Sequence, residues 1–327
     1  MNDMAELKIV QFAHPGGEHS LTKAEIKAGV KQWNYGRHQR KFLCAKGQYV
    51  QDDGNISPEQ DLLFWGEWEP SSRVSSVIKT QGTGVLPKWV HYPQLILDNQ
   101  GRVVEPYING KTVKIKKKCN GNQIVQIVNC ARQNTDPFVF GEAFYYSCCK
   151  QRKKENNKCT YVKTKMCFLD KGSIIIFGST INSCFLVDTV FVVGDSKPYK
   201  VSNYQSDLNG FIPKDYDQIM GFSHWNSKDE FVCYRGATPG NPVEGMFSFV
   251  PCRTTVDGIV GFPRMVLNKN MLSLISDNLN AAPKFTPKGG NAVMADVKQV
   301  WLQLCNIAAS QGFKLGVNVK YNTIILP

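Results

Sequence analysis

Hydrophobic and polar positions sort this chain into many short strand-like runs and two helical stretches. Residues 7–12, apolar and β-branched, predict a first strand. It runs into the polar loop Ala13-His14-Pro15-Gly16-Gly17-Glu18-His19, whose glycines suit a tight turn or a close backbone approach to a ligand. The period then changes: Thr22 as N-cap and Glu25 three residues later form a capping box, with Ile26, Val30 and Trp33 on one helical face. From 41 to 92, short strands separated by Gly, Pro and Asp turns predict meandering β structure. The clearest pair, 169–179 and 184–195, is nearly all apolar and joined across an Asn-containing turn. Further strands are expected at 231–234 and 246–250. A helix is expected over 292–310, with Val297, Val300, Trp301, Leu304, Cys305 and Ala308 on its buried face, followed by strands at 314–319 and 323–326. With no internal repeat and no clean linker, the pattern predicts one α+β unit over residues 1–327, with a mixed, partly barrel-like sheet and flanking helices.

At 327 residues, 42% hydrophobic and 11% aromatic, the chain can bury a substantial core. The formal net charge of +12 adds a partner to that picture, because a strongly basic protein attracts a polyanion. Lysines and arginines concentrate in 111–118 and 150–158. Lys116, Lys117, Lys118, Arg152, Lys153 and Lys154 are therefore expected to contact a nucleic-acid backbone, the second run as an exposed loop. Phe138, Phe140, Phe144, Tyr145, Tyr146 and Tyr161 flank that run, although Phe138 and Phe140, two apart on a strand, are expected to point inward together. No apolar run is long enough to span a bilayer and the first residues lack a signal-peptide pattern, so a cytoplasmic protein with no membrane partner is expected. Eleven scattered cysteines suit a reducing compartment, and most are expected as small core residues. No paired-ligand zinc spacing occurs and no cofactor is expected, the alternative being a tertiary site from Cys148, Cys149 and Cys159.

Two aromatic, charged clusters carry the candidate chemistry, 33–42 and 64–70. Tyr35, Arg37, His38 and Arg40 in the first, with Trp65, Glu67 and Trp68 in the second, combine π faces, guanidinium groups and a carboxylate suited to a nucleobase. In a strand, residues three apart point to opposite faces, so both Trp rings meet only if the chain bends at Gly66. Candidate carboxylates are Glu18, Glu67, Asp136, Glu142 and Asp188. Glu142 and Asp188 each interrupt an apolar stretch, where burial would raise a carboxyl pKa, while Asp136, before Pro137, suits a turn or cap. His14, Glu18 and His19 match no zinc spacing but can supply a base or hydrogen bonds to phosphate. Tyr234-Arg235-Gly236 lacks the partners an ADP-ribosyltransferase would need. No Walker loop, Rossmann fingerprint or serine-hydrolase elbow is present.

The segment 169–195, with Lys171-Gly172, Phe177 and the apolar run from Phe185 to Val193, resembles the core of the PUA-like superfamily, which includes EVE, YTH and ASCH domains. The resemblance implies a small β-barrel with flanking helices, its core around 130–200, that reads RNA or modified DNA by seating a base in an aromatic pocket. Trp65 and Trp68 would then be the cage walls.

The expected function is a DNA-binding protein, DNA ahead of RNA, that extrudes a modified base and excises it as a DNA glycosylase, with defence against phage DNA as a context. Tyr35, Trp65 and Trp68 would frame the base. Arg37, His38 and Arg40 would hold phosphates or a polar substituent beside Glu67 and His14, and Glu142 or Asp188 would stabilise an oxocarbenium-like centre or activate water. A non-catalytic reader of modified DNA or RNA and a metal-dependent nuclease are the two alternatives.

Overall fold

The computed structural model describes residues 6–33, 39–103, 113–119, 122–128, 134–155, 161–220, 229–254, 258–268, 284–285 and 292–327, with backbone alone for 113–119, 122–128 and 284–285. The chain opens with β1 (Ile9–Ala13), α1 (Lys23–Ala28), β2 (Val30–Lys31), β3 (Lys41–Val50), β4 (Gln60–Gly66), β5 (Ser72–Ser76), β6 (Lys79–Thr80) and β7 (Trp89–Leu97). There follow β8 (Val113–Cys119), β9 (Asn122–Val128), β10 (Tyr145–Tyr146), β11 (Arg152–Lys154), β12 (Tyr161–Lys163), β13 (Ile174–Ile181) and β14 (Cys184–Lys200). The last third holds α2 (Tyr204–Asp207), α3 (Lys214–Met220), β15 (Glu230–Gly236), β16 (Val250–Thr254), β17 (Val260–Gly261), β18 (Met265–Leu267), β19 (Lys284–Phe285), α4 (Met294–Ser310), β20 (Lys314–Lys320) and β21 (Asn322–Ile325).

The fold is α+β. β3, β4, β16 and β20 pair antiparallel in a ring and close a four-stranded barrel. β7 adds to β3 in parallel and carries β5 and β21, and β5 in turn carries β2. A second sheet runs β10-β15-β14-β13-β1-β19, with β18 also on β14. Reciprocal backbone bonds between Val190 and Phe249, 2.9 and 2.8 Å, tie β14 to the segment that enters β16, so the sheet and the barrel abut there. The strands of the PUA-like resemblance, β13 and β14, lie in this second sheet.

Alternation along the strands feeds two hydrophobic cores. On β3 and β4, Leu43, Leu62 and Phe64 enter one, while Phe42, Cys44, Leu63 and Trp65 enter the other. The β13–β14 hairpin turns at Asn182 and Ser183, both at positive φ, the geometry that a two-residue hairpin requires. α4 buries Val297, Val300, Trp301, Leu304 and Ala308 of its predicted face, with Cys305 only half-buried at its edge, and the Trp301 indole donates to the Phe247 carbonyl.

Local departures have local causes. The Thr22–Glu25 capping box forms, but Gly29 at φ +65° ends α1 one turn later. Val30 consequently starts a strand and Ile26 is 44% exposed; of the expected helical face, only Trp33 is buried. Residues 152–154 pair with Tyr161–Lys163 as a short hairpin where a loop was expected. Strand structure near 246–250 begins only at Val250, after a turn closed by Val243 and Met246.

Candidate active site

Arg40, at the entrance to β3, meets Glu67, just past the exit of β4, because the two strands are antiparallel neighbours there. Its guanidinium lies 3.2 Å from Glu67, 3.5 Å from Asp188 of β14 and 3.1 Å from the His14 Nδ1. Arg264 completes the network, 3.6 Å from Asp188 and 4.8 Å from the centroid of the Trp65 ring. The four charged side chains are at most 1% exposed, and His14, 3.5 Å from Glu67, is the outermost member at 6%.

A register shift aims Asp188 at this junction. Phe177 faces Thr189 but the next residue, Gly178, faces Val187, so Asp188 is the extra residue of a β-bulge. A bulge frees a side chain from the alternation of its strand. Gly178 allows it, since a Cβ there would lie 2.1 Å from the Leu186 carbonyl oxygen. The loop over the network is fixed from below: the Gly16 carbonyl accepts from Arg264, the Gly17 carbonyl accepts from the Arg40 amide, and a Cβ on Gly16 would meet Ile181 at 2.8 Å. The glycines thus serve close packing. Glu18 caps a neighbouring segment, accepting from the Lys88 and Trp89 amides. Its carboxyl sits above the usual range because burial outweighs those bonds.

Two guanidinium groups and two carboxylates balance. Burial pushes the Asp188 carboxyl up, with Arg264 and Arg40 pulling it back. Burial alone would lower Arg40, but Glu67, Asp188 and Glu69 hold it above its ordinary value. Arg264, with one close carboxylate, is lowered by burial.

A second buried cluster occupies the neighbouring space. Lys31 donates to the carbonyls of Trp68, Glu69 and Pro70 at 2.9–3.0 Å, and Lys41 pairs with Glu69 at 3.1 Å. His19 and His91 stand 6.1 Å apart, and none of their ring nitrogens has a hydrogen-bond partner. Burial pushes His19 down to about 3 and His91 well down, helped by both lysines. Lys31 is likewise lowered by burial and by Lys41, and Lys41 is lowered by burial against the pull of Glu69.

Of the site residues read from sequence, His14, Arg40, Glu67 and Asp188 converge. Tyr35, Arg37 and His38 lie outside the described residues. Trp65 and Trp68 are corrected: both are buried and enter opposite cores, so they form no cage. Their indoles donate to the Phe262 and Ser71 carbonyls. β4 ends at Gly66, and Trp68, beyond it, turns into the core opposite to that of Trp65. Glu142 is corrected too. It is exposed beside Gly141, a turn at φ +96°, because the apolar residues on either side turn inward without it. Lys116, Lys117 and Lys118 lie on β8, their side chains outside the description. Lys153 and Lys154 are exposed on β11, whereas Arg152 is held by Asp229 at 3.2 Å.

Asp136 takes the cap role its position suggests, accepting from the Ser147, Cys148 and Cys149 amides at 2.8–2.9 Å. Burial pushes its carboxyl up to about 6 against those three bonds. With the Cys148 and Cys149 sulfurs it forms a compact potential ligand group, its donor atoms within 4.8 Å of one another. Cys159 lies outside the described residues. The Asp136 oxygens are already committed to amides, Asn134 donates to both sulfurs, and burial pushes the Cys148 thiol well up. This donor set is a hydrogen-bonded clamp and not a ready metal site.

Sequence reading missed Arg264, Lys31, Lys41, Glu69 and the role of His91. Arg264 had a signal, a lone cation within the apolar segment from Ile259 to Leu267. Lys31 had none, since helical spacing around it pointed to a solvated face. Among the described residues no helix is long and apolar enough to cross a membrane. No known family, no curated protein and no solved structure matches the chain.

Proposed function

We propose that the chain is a DNA-binding protein that excises a modified base, a DNA glycosylase whose reacting centre is approached past His14 into the Arg40–Glu67–Asp188–Arg264 network. The observation that carries this reading is the convergence of His14, just past β1, Arg40, just before β3, Glu67, just past β4, and Asp188 of β14 at the junction of the sheet and the barrel. The net charge of +12 supplies attraction for a polyanion. In this reading His14 is the first group an extruded nucleotide meets. Glu67 and Asp188 place negative charge behind an oxocarbenium-like sugar as the base leaves with the bonding pair; water then forms the new bond at the sugar carbon and its surplus proton passes to the departed base.

The reader without chemistry is favoured by one feature of the same network: each carboxylate is already held by a guanidinium. The two readings part in one experiment. The protein is incubated in chelator with plain DNA and with DNA carrying modified cytosines, then treated with alkali. Alkali-dependent breaks confined to the modified DNA, lowered about 100-fold or more in His14→Ala, are the expected result. Selective retention in a gel shift without breaks would leave the reader, and breaks that appear only in a parallel incubation with magnesium and no chelator would point to the nuclease.

A further inference from the structure

An open groove of about 430 Å³ lies on the barrel away from the Arg40 network, lined by Lys46 of β3, Asp61 of β4, Arg73 of β5, Tyr92 of β7, Lys320 of β20 and Asn322 of β21. Lys46 is six residues along β3 from Arg40, roughly 20 Å at strand rise, so the two places are distinct. We propose that this groove binds a nucleotide unit, its base laid on Arg73 and its phosphate held by Lys46 and Lys320.

Arg73 and Tyr92 are direct cross-strand partners in the β5–β7 pair, and the guanidinium carbon lies 4.0 Å from the Tyr92 ring centroid. That contact holds an exposed cation against a half-buried ring and leaves its outer side to the groove. As a sheet contact alone it would stabilise the strand pair modestly. Three further features make the place a binding site. Among the described residues no carboxylate pairs with Arg73. The groove carries Lys46, Arg73 and Lys320 against Asp61 alone, a net charge of three minus one, and it remains positive when Glu59, the partner of Lys320, is included. The pairs Lys46–Asp61, at 3.0 Å, and Lys320–Glu59 are both solvent-exposed, so holding them together contributes little and a phosphate can displace either carboxylate.

Size and shape narrow the ligand. The volume is in the range of small-molecule sites and exceeds what a bare phosphate fills. A flat guanidinium face suits any base, because stacking is indifferent to sequence. Asp61 and Asn322 offer an acceptor and an amide to the base edge. The shared chemistry is a nucleoside phosphate, free or within a single strand. The groove's role is independent of whether a base is excised elsewhere.

The test is fluorescence anisotropy of a short labelled oligothymidylate, in chelator, with Arg73→Ala, Arg73→Lys and the exposed Lys214→Ala as a charge-matched control outside the groove. Arg73→Ala is expected to weaken binding about tenfold or more, Arg73→Lys by less, and Lys214→Ala by no more than about twofold. Competition by thymidine monophosphate identifies the free nucleotide as ligand; binding that it does not displace identifies the strand. Bromodeoxyuridine photocrosslinks are expected on the peptide that carries Tyr92. Equal losses in Arg73→Ala and Lys214→Ala, or crosslinks confined to peptides without Lys46, Arg73, Tyr92 or Lys320, would overturn the proposal. Because this readout needs no product, the groove and the glycosylase stand or fall separately.

Discussion

Arg40 and Lys41 are consecutive residues, yet each anchors a different buried cluster, and the two clusters solve the burial of charge in opposite ways. Around Arg40, two guanidinium groups face two carboxylates. Around Lys41, two ammonium groups and two imidazoles have Glu69 as the one carboxylate in direct contact among the described residues, with Glu67 and Glu25 acting from farther off. The side-chain chemistry accounts for the difference. A guanidinium cannot shed its proton in a protein, so a buried one demands a matched anion. Lysine and histidine can, and in the Lys41 cluster every cationic group is shifted toward its neutral form. Carbonyls then suffice where carboxylates are lacking, as Lys31 shows. The Arg40 cluster therefore keeps its cationic charge whatever the pH, whereas the Lys41 cluster can be relieved of charge by losing protons.

The largest effect expected is on removing a carboxylate from the balanced cluster. Asp188→Asn leaves two buried guanidinium groups with Glu67 as the one carboxylate in direct contact and should cost about 3–5 kcal/mol, read by urea denaturation at neutral pH. A loss under about 1 kcal/mol would mean that water reaches the site and that the cluster is not sealed.

Glu69→Gln should cost less, about 1–3 kcal/mol, because Lys41 can lose its proton while keeping the Gln39 carbonyl as a partner. The loss should shrink as pH rises and neutral Lys41 becomes easier to reach. An equal or larger loss than Asp188→Asn, independent of pH, would break the distinction between the clusters.

The smallest effect sharpens the pH side. Both histidines have folded pKa values below the ordinary 6.5, His19 at about 3. In between, the unfolded chain binds protons that the folded chain does not, so stability falls as pH drops below about 6.5, by up to about 1.4 kcal/mol per pH unit for each histidine. Asp136, raised to about 6, works in the opposite sense, since its folded form takes a proton first and gains stability as pH falls. The His91 contribution is thus read as the difference in slope between wild type and His91→Phe from pH 7 to 5. Parallel slopes would show that His91 is solvated in the fold.

Much of the fold was legible because local patterns agree with it. The Thr22–Glu25 box, the Asn182 hairpin, the apolar face of α4 and the strands β15 and β20 all depend on neighbours in sequence. Part of the site was legible for a related reason. Asp188 stands out as a carboxylate in an apolar strand, Glu67 and Arg40 as charges within the two aromatic clusters, and His14 as a polar group in the loop after the first strand. Glu142 shows the limit of that reasoning, for a polar residue between aromatics is equally what a tight turn presents to water. Trp65 and Trp68 show another, because an aromatic cluster in sequence says nothing of which side each ring takes.

The sequence by itself determined the strand-rich α+β class, the hairpins, the caps and the basic charge, since periodicity and turn chemistry act over a few residues. Tertiary structure alone decided which strands close the barrel and that a bulge turns Asp188 toward Arg40. It also brought Arg264 to Asp188, 76 positions away along the chain, and set Arg73 opposite Tyr92. The physical reason is that a buried charge is tolerated only where partners distant in sequence arrive within hydrogen-bond reach, and those distances exist only once both sheets have formed.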